Sequence, residues 1–504
     1  MFWLSLKNYT QPKPNFFTIF KNQKVILMEQ LVGRIQERKI LENALASSGA
    51  ELIAMYGRRR IGKTFLIRSV YEKYIRFEFT GVHNASMQEQ LEGFSFALKK
   101  AINSPVDIAV PKNWVAAFHS LENILDPVIK KGKAVIFFDE FPWIHTQKSN
   151  FLTAFEHFWN NWASKHANLT VVICGSAASW MIRNIVNNKG GLHNRVSIRM
   201  RLLPFTLNET KEYLKSRSVN LDHYQLLQLY MALGGVPQYL KAIQKGESAT
   251  QAIDRLFFTK HGPLKEEFKI LYESLYENAA NHIAVIRLLY DAGKGMTRNE
   301  IISSSHLSSG GTVTNVLTEL EESGFVASHI PFDKTSKELV YRLTDEYSLF
   351  YLKFVERSRV TGAGTWLRIS EGSSFKSWSG YAFEAICLKH LPQIKNALHI
   401  STIYTEESVW RYVPGKGKPG AQIDLLLDRR DRCINICEMK FTTHEFTITK
   451  KYADELIQKR TVFTDKTKTK KTIFLTMITT YGVANNTYYK NLVQSEVTMD
   501  ALFV

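Results

Sequence analysis

The chain has 504 residues, 45% of them hydrophobic, and carries a formal net charge of +18 at pH 7. This hydrophobic content is ample for packed cores and excludes a disordered chain, and the length predicts several domains. No stretch approaches about 18 uninterrupted apolar residues, so we expect a soluble, cytoplasmic protein with no membrane partner. Residues 1–27 carry no motif and are predicted to be an N-terminal extension. The charge favours a polyanionic partner, although ATP, nucleic acid and acidic membrane would all qualify.

Residues 57–64 form a complete G-x-x-x-x-G-K-[ST] loop between a short apolar strand and an amphipathic helix. Its chemistry predicts binding of ATP with Mg²⁺. Glycines let the backbone N–H groups face the phosphates, the lysine reaches the β- and γ-phosphates, and the threonine hydroxyl contacts Mg²⁺. We expect the three arginine side chains to point outward from the loop rather than at phosphate. The predicted nucleotide-binding residues of the loop are Gly57, Arg58, Arg59, Arg60, Ile61, Gly62, Lys63 and Thr64.

Residues 134–144 form an apolar strand that ends in two adjacent carboxylates, Asp139 and Glu140. Ligands bind at the carboxyl ends of strands in open α/β sheets. Asp139 is therefore predicted to hold Mg²⁺ through water, and Glu140 to orient or deprotonate an attacking water, which favours hydrolysis over simple binding. Arg195 is a candidate to stabilise charge on the transferring phosphoryl group, with a solvated loop arginine as the alternative.

These motifs resemble the STAND-type P-loop ATPases of the archaeal-ATPase clade, which are relatives of AAA+ proteins. The resemblance rests on Val32-Gly33-Arg34, on the loop at 57–64, on Phe138-Asp139-Glu140-Phe141 and on Gly234-Gly235-Val236-Pro237-Gln238-Tyr239-Leu240. It implies an ATPase core over residues 28–205 and a helical lid over 206–280. It also implies that Pro237 approaches the nucleotide, that Val32-Gly33-Arg34 lies near the adenine, and that Ser176 senses the γ-phosphate.

Residues 281–345 read as three short helices followed by a hairpin, which resembles a winged helix-turn-helix. Such folds often place the third helix in the DNA major groove. Here the third helix carries Glu319, Glu321 and Glu322 and no Lys or Arg, which is a poor match to phosphate contacts. The pattern therefore favours a structural or protein-contacting role over DNA reading.

Residues 421–440 read as two apolar strands joined by a charged turn, with Asp424 on the first strand and Glu438 and Lys440 at the end of the second. Because strand side chains alternate faces, Glu438 and Lys440 project from the same side, toward Asp424 if the strands pair as a hairpin. Asp424 and Glu438 would then coordinate Mg²⁺, and Lys440 would stabilise the attacking hydroxide or the charged phosphorane. A surface hairpin with a Glu-x-Lys ion pair is the alternative.

This pattern resembles the PD-(D/E)XK nuclease superfamily over residues 346–504. The resemblance implies a further metal-binding glutamate on an upstream helix, here Glu384. Basic residues follow, and they are predicted to contact a phosphate backbone, with a solvated basic helix and loop as the alternative. They are Lys450, Lys451, Lys459, Arg460, Lys466, Lys468, Lys470 and Lys471.

Together these patterns predict an α/β protein: a P-loop ATPase with a parallel sheet and helical lid, a winged helix-turn-helix, and a C-terminal α/β restriction-endonuclease-like domain. The leading hypothesis is an ATP-binding and ATP-hydrolysing switch, cycling between ATP and ADP, coupled to a Mg²⁺-dependent nuclease that acts on DNA. The contrasting hypothesis is an ATP-gated regulator or scaffold whose nuclease fold is inactive. Homo-oligomer assembly, and whether Arg195 acts within its own subunit, are left open.

Overall fold

The computed structural model describes most of the chain beyond the predicted N-terminal extension, which lies outside the described residues. The described ranges are 31–187, 190–192, 194–305, 307, 309–335, 338–358, 362–413 and 420–504. Within these ranges, no helix is both long enough and apolar enough to cross a membrane.

The first part of the chain folds around a five-stranded sheet in the order β2-β3-β4-β1-β5, in which every neighbouring pair is parallel. The strand β4 therefore lies between the strand that leads into the loop at 57–64 and the strand that ends at Asp139. The elements are α1 Ile35–Ala46, β1 Glu51–Tyr56, α2 Lys63–Tyr71, β2 Ile75–Thr80, α3 Met87–Ala101, α4 Trp114–Ile129, β3 Ala134–Asp139, α5 Phe141–Ile144, α6 Phe151–Asn161, β4 Leu169–Gly175, α7 Ala178–Met181 and β5 Ile198–Arg201.

Helices cover both faces of this sheet, which explains the unbroken apolar strands. Along β1, Leu52 and Ala54 face one core while Ile53 and Met55 face the other. A strand buried on both faces gains stability from an apolar residue at every position. The edge strand β5 is short, beginning at Ile198 and ending at Arg201.

A group of helices follows and covers the carboxyl edge of the sheet, where a lid was expected. These helices are α8 Leu207–Ser216, α9 His223–Leu233, α10 Pro237–Leu240, α11 Ala249–Ile253 and α12 Glu267–Glu273. The α9–α10 connection depends on glycine. A Cβ atom at Gly235 would lie 1.8 Å from the carbonyl oxygen of Phe205, so only glycine permits this backbone approach.

The next region, which we call the connector, contains three helices and a three-stranded antiparallel sheet in the order β6-β8-β7. The helices lie where the sequence predicts them, and the short strand β6 is an addition. The winged-helix assignment itself stays a prediction. The elements are α13 Ala279–Ala292, β6 Met296–Thr297, α14 Arg298–Ser304, α15 Gly310–Glu322, β7 Val326–His329 and β8 Val340–Leu343.

The C-terminal part has a mixed five-stranded sheet in the order β13-β12-β11-β10-β9. Strands β9, β10 and β11 pair antiparallel, whereas β11, β12 and β13 pair parallel. The elements are α16 Glu346–Phe350, α17 Thr365–Ser370, α18 Ser373–Lys389, α19 Leu391–Ala397, β9 Thr405–Tyr412, β10 Ala421–Arg429, β11 Cys433–Lys440, α20 Lys450–Thr467, β12 Thr472–Thr479, α21 Thr487–Leu492 and β13 Ser495–Thr498.

The third helix of the connector and the loop between β7 and β8 both contact the rest of the chain. On α15, Glu319 pairs with Arg183 of the ATPase core at 3.4 Å, and Arg201 donates to the Glu322 carbonyl at 3.0 Å. In the loop between β7 and β8, the Phe332 N–H donates to the Val409 carbonyl of edge strand β9 at 3.1 Å. These contacts favour the structural role and cover one edge of the C-terminal sheet.

Candidate functional site

The loop at 57–64 turns sharply between β1 and α2. Gly57 (φ 146°) and Gly62 (φ 89°) adopt conformations that favour glycine, and a Cβ atom at Gly57 would lie 2.3 Å from the Leu202 carbonyl oxygen. The Lys63 ammonium donates to the carbonyl oxygens of Gly57 and Arg58 at 2.8 and 2.9 Å. The loop is thus held by the lysine whose charge is predicted to contact phosphate.

The two predicted magnesium contacts of this site lie side by side. The Thr64 hydroxyl donates to Asp139 Oδ2 at 2.8 Å. Burial raises the pKa of Asp139, and the Thr64 hydrogen bond acts against that rise. A hydroxyl and a carboxylate oxygen are hard ligands of the type that Mg²⁺ prefers, so this donor set fits the predicted ion.

Glu140 and Ser176 contact each other directly, which the sequence did not predict. Glu140 has a left-handed backbone (φ 44°), and its Oε2 accepts from the Ser176 hydroxyl at 2.7 Å and from the Ser176 N–H at 3.1 Å. An L-residue is strained in this conformation, and such strain is concentrated at functional sites. Ser176 therefore sets the direction of the carboxylate that is predicted to activate water.

A cavity of about 890 Å³ lies between this loop and the lid. Of the residues that the family resemblance places near nucleotide, Val32, Arg34, Glu140 and Pro237 line it, together with the loop from Arg59 to Thr64. The lid adds Arg217 and Lys241, two cations that face the phosphate loop and that motif spacing did not single out. The sequence did not point to Arg217 and Lys241, because each directly follows an ordinary lid helix and belongs to no motif.

The prediction that the three loop arginines point outward is wrong for Arg58. Its side chain is 1% exposed and pairs with Asp345 of the connector, with the guanidinium carbon 4.7 Å from the centre of the Phe325 ring. Arg59 lies over Trp143, and Arg60 pairs with the lid at Glu267. The physical reason is that the helices and connector pack over the loop, which buries a side chain that would be solvated on an isolated ATPase core.

Arg195 lies far from this cavity along the sheet. It is exposed and precedes β5, whose Ile198 pairs with Ile53 near the amino end of β1. The phosphate loop follows the carboxyl end of β1, so Arg195 lies toward the opposite edge of the sheet. A role in phosphoryl transfer would therefore act on a nucleotide held by a second copy, and it stays a prediction.

In the C-terminal sheet, the predicted acidic residues come together as a carboxylate cluster, defined as Glu384 of α18, Asp424 of β10 and Glu438 of β11. Leu425 pairs with Cys437, which brings the preceding Asp424 next to the following Glu438. Burial and then the charge of Asp424 raise the pKa of Glu384 to about 7 and also raise the pKa of Glu438. Lys440 lies 3.8 Å from Glu438.

Two cations that sequence reasoning did not place here neutralise this cluster. The Lys459 ammonium of α20 donates to both oxygens of Glu438, at 2.7 and 2.8 Å, and the Tyr452 hydroxyl donates to Glu438 at 3.1 Å. Arg342 of the connector lies 3.7 Å from Glu384. Lys459 was predicted to contact a phosphate backbone, and this is corrected because α20 directs it onto the fully buried Glu438. Lys471 likewise pairs with Asp428.

The predicted metal site of Glu384, Asp424 and Glu438 is not assembled in this conformation. Across the described ranges, no group of three or more His, Cys, Asp or Glu side chains is arranged to hold a metal ion. The oxygen donors suit Mg²⁺ chemically. The physical reason for the difference is that Lys459 and Arg342 satisfy two of the three carboxylates with protein cations.

The parallel sheet, the loop at 57–64 and the paired carboxyl-end residues define a P-loop ATPase domain. Consistent with this class, residues 31–243 match the family model described as "ATPase domain predominantly from Archaea". This match supports ATP binding and hydrolysis by this part of the chain.

Individual relatives extend further along the chain but at low identity. The uncharacterized protein MJECL04 of Methanocaldococcus jannaschii is 22% identical over 435 residues, which cover 85% of this chain and 91% of that protein. The Walker-type ATPase PABY2304 of Pyrococcus abyssi is 14% identical with a TM-score of 0.47, covering 64% of this chain and 96% of that structure. The ORC2 protein of Aeropyrum pernix is 14% identical with a TM-score of 0.39, covering 63% and 91%.

Proposed function

We propose that this protein is an ATP-hydrolysing switch whose C-terminal domain is a metal-dependent nuclease acting on DNA, held closed in the conformation described. The observation that carries the ATPase part is the line of contacts from Thr64 to Asp139 and from Glu140 to Ser176 at the carboxyl ends of β3 and β4. These contacts support the proposed roles of Thr64 and Asp139 in holding magnesium and of Glu140 as general base next to the phosphate loop.

In the proposed hydrolysis, the loop N–H groups and Lys63 bind the phosphates, and Thr64 and Asp139 would hold Mg²⁺. The magnesium ion neutralises charge on the phosphate oxygens when it is bound. Glu140 is held by Ser176 in the conformation described, and once freed its carboxylate would orient the attacking water and accept its proton. Release of the Ser176 hydrogen bond would let the carboxylate turn toward that water.

The nuclease part is supported by the position of Asp424, Glu438 and Lys440 on a mixed sheet, with Glu384 on helix α18 beside them. Glu384, Asp424 and Glu438 would hold Mg²⁺, which would activate water and stabilise charge on the phosphodiester. Lys440 would stabilise the charged transition state, and the exposed basic residues of α20 would contact the DNA backbone.

A specific observation supports the second candidate function, an ATP-gated regulator or scaffold with an inactive nuclease fold. The bidentate contact of Lys459 with Glu438 occupies a carboxylate that the metal needs. If Lys459 always stays bound to Glu438, the domain has a nuclease-like fold but cannot bind the metal that cleavage would need.

One experiment separates the two candidates. Purified protein is incubated with plasmid DNA, single-stranded DNA and RNA in Mg²⁺ or Mn²⁺, with and without ATP, while phosphate release is followed in the same tubes. Cleavage that Asp424→Ala abolishes supports the nuclease. ATP hydrolysis without cleavage of any substrate supports the regulator, and absence of both overturns the ATPase assignment as well.

A further inference from the structure

One short segment of the connector contacts both candidate sites. Residues 342–346, which we call the coupling segment, run from the end of β8 into the first turn of α16. Within these five residues, Asp345 pairs with Arg58 of the phosphate loop, and Arg342 lies against Glu384 of the carboxylate cluster. Neither contact follows from the ATPase or nuclease chemistry described above.

At the phosphate-loop end, the contact is a fully buried ion pair. Burial acts to raise the pKa of Asp345, but Arg58 and Ser348 lower it overall, so both partners are charged. Among the described residues, Arg58 Nε and Nη2 have no hydrogen-bond partner. A buried pair that is incompletely hydrogen-bonded is costly, and the loss of either partner is costlier still, so the two residues move together.

The loop can transmit a nucleotide signal because Lys63 holds the Arg58 backbone. The Lys63 ammonium donates to the Arg58 carbonyl oxygen at 2.9 Å. When phosphates bind, they compete for this ammonium, and the Arg58 carbonyl loses a charged donor. The backbone that carries the Arg58 side chain is thereby released at the moment of nucleotide binding.

At the last residue of the coupling segment, next to Asp345, Glu346 contacts helix α18. Its two oxygens accept from the Lys389 ammonium at 2.7 and 2.8 Å. The same carboxylate lies against Gly234, where a Cβ atom would be 3.0 Å from Glu346 Oε2. Since Lys389 ends the helix that carries Glu384, movement of Glu346 acts on the carboxylate cluster through α18.

At the other end, Arg342 is held close to Glu384. It is 11% exposed, its Nε donates to the Tyr381 hydroxyl at 3.1 Å, and its guanidinium carbon lies 4.4 Å from the centre of that ring. The Arg342 charge therefore reaches Glu384 from a rigid support, one turn of α18 away from the contact with Tyr381.

We propose that the coupling segment transmits nucleotide binding at the phosphate loop to the carboxylate cluster, and that Arg342 is a positioning residue that holds Glu384 away from metal as long as the Arg58–Asp345 pair stays in place. The metal half of this statement rests on the proposed nuclease function. Nucleotide binding shifts Arg58 and Asp345, the segment moves, and Arg342 withdraws from Glu384.

The coupling is tested by hydrogen–deuterium exchange of α18 in the full chain, with and without saturating ADP or a non-hydrolysable ATP analogue. We expect nucleotide to raise exchange of the Ser373–Lys389 amides by at least about threefold in the wild type. The double variant Arg58→Met with Asp345→Asn removes both charges, while asparagine still caps α16. With nucleotide binding confirmed for that variant, its α18 exchange should not respond.

A second connector ion pair provides the matched control. Arg287 and Glu356 form a bidentate pair at 2.6 and 2.8 Å that contacts neither site. Arg287→Met with Glu356→Gln should leave the response of α18 as in the wild type. An unresponsive α18 in the wild type, or an equal response in the Arg58→Met and Asp345→Asn double variant, overturns the coupling.

The role of Arg342 is tested by Mn²⁺ binding to nucleotide-free protein, followed by the electron paramagnetic resonance of free Mn²⁺. Arg342→Met should bind Mn²⁺ about fivefold more tightly than the wild type, and Arg342→Lys, which keeps the charge, should bind as the wild type does. Asp424→Ala identifies the Mn²⁺ bound at the cluster. Equal affinities of Arg342→Met and wild type overturn the positioning role.

The two proposals fail in different ways. If neither the wild type nor Arg342→Met binds Mn²⁺ that Asp424→Ala removes, the metal site and the Arg342 role both fail, while the exchange experiment still decides the coupling. If nucleotide does not bind at all, the ATPase proposal and the coupling are both overturned.

Discussion

The phosphate loop and the carboxylate cluster both lie at the end of a sheet, but they consist of different chemical groups. The phosphate site consists of one continuous loop of backbone groups, with carboxylates that directly follow a buried strand. The carboxylate cluster consists of side chains from three separate elements, and two further elements supply the cations Arg342 and Lys459.

This difference determines how each site can be regulated. A site built from backbone N–H groups is fixed by the turn that forms it, so it is complete as soon as the domain folds. A site built from side chains can be opened or closed when one neighbouring charge moves. In the function proposed above, protein cations close the carboxylate cluster whereas the phosphate loop is already formed, which is the asymmetry that a switch requires.

The largest expected effect tests the complete site. Glu140→Gln should lower the rate of ATP hydrolysis by about 1,000-fold while ATP still binds, because the amide cannot accept the proton of the attacking water. Phosphate release and nucleotide binding are measured on the same preparation. Glu92→Gln, on the exposed face of α3, is the control, and hydrolysis at the wild-type rate by Glu140→Gln would show that another group activates the water.

The second prediction tests whether the carboxylate cluster supports DNA cleavage. Asp424→Ala should lower DNA cleavage by at least about 100-fold and leave ATP hydrolysis within about twofold of the wild type, because the variant removes one metal ligand in another domain. Asp431→Ala, in the turn between β10 and β11, is the matched control. Cleavage that survives Asp424→Ala would place the nuclease chemistry, or a contaminant, elsewhere.

The same contrast, between a site formed by one loop and a site formed by side chains of separate elements, explains how much of each region the sequence predicts. The P-loop is contiguous, so Gly57, Lys63 and Thr64 were identified from spacing alone, and the family match supports an ATPase. Asp139 and Glu140 were found because an unbroken apolar strand predicts a buried parallel strand and hence its carboxyl end. The contact between Glu140 and Ser176 required the structure, because it depends on β4 lying beside β3.

The carboxylate cluster was predicted only in part. Strand alternation placed Glu438 and Lys440 on one face, and the hairpin register explains the position of Asp424. Lys459 was assigned to a DNA-binding surface because eight basic residues in one stretch look alike in sequence. The ion pairs of Arg58 and Arg342 were missed because each crosses a domain boundary, and no local pattern encodes a contact with a residue about 40 or 290 positions away.

The third prediction sharpens the contrast by removing one protein cation from the closed site. Lys459→Met should destabilise the protein by about 3 kcal/mol, because it leaves the fully buried Glu438 without its principal charge partner. The measurement is urea unfolding in the absence of divalent metal, with Lys451→Met on the exposed face of α20 as the control. Adding Glu438→Leu to Lys459→Met should restore most of the loss, and failure to do so would contradict the ion-pair explanation.

The smallest effect concerns the junction between the lid and the helix that carries Glu384. His390 accepts a hydrogen bond from the Leu207 N–H at 3.0 Å through Nε2, and its Nδ1 donates to the Ile386 carbonyl at 2.8 Å, so the ring is held neutral. Burial lowers the pKa of His390 to about 4, and the neighbouring Lys389 acts in the same direction.

Below about pH 6.5 the unfolded chain gains a proton on this histidine, whereas the folded chain does not until the pH is near 4, so folding stability falls as the pH falls through that window. We expect a loss of about 1.6 kcal/mol between pH 6.5 and 5 from this residue. His390→Gln keeps both hydrogen bonds and cannot titrate, so its unfolding free energy should fall less over the same range. The partly buried His329, whose pKa burial also lowers to about 4, is present in both proteins and cancels in the difference. Parallel pH profiles for the wild type and His390→Gln would show that His390 is not neutral in the folded protein, and that its contact with Leu207 does not hold the lid against α18.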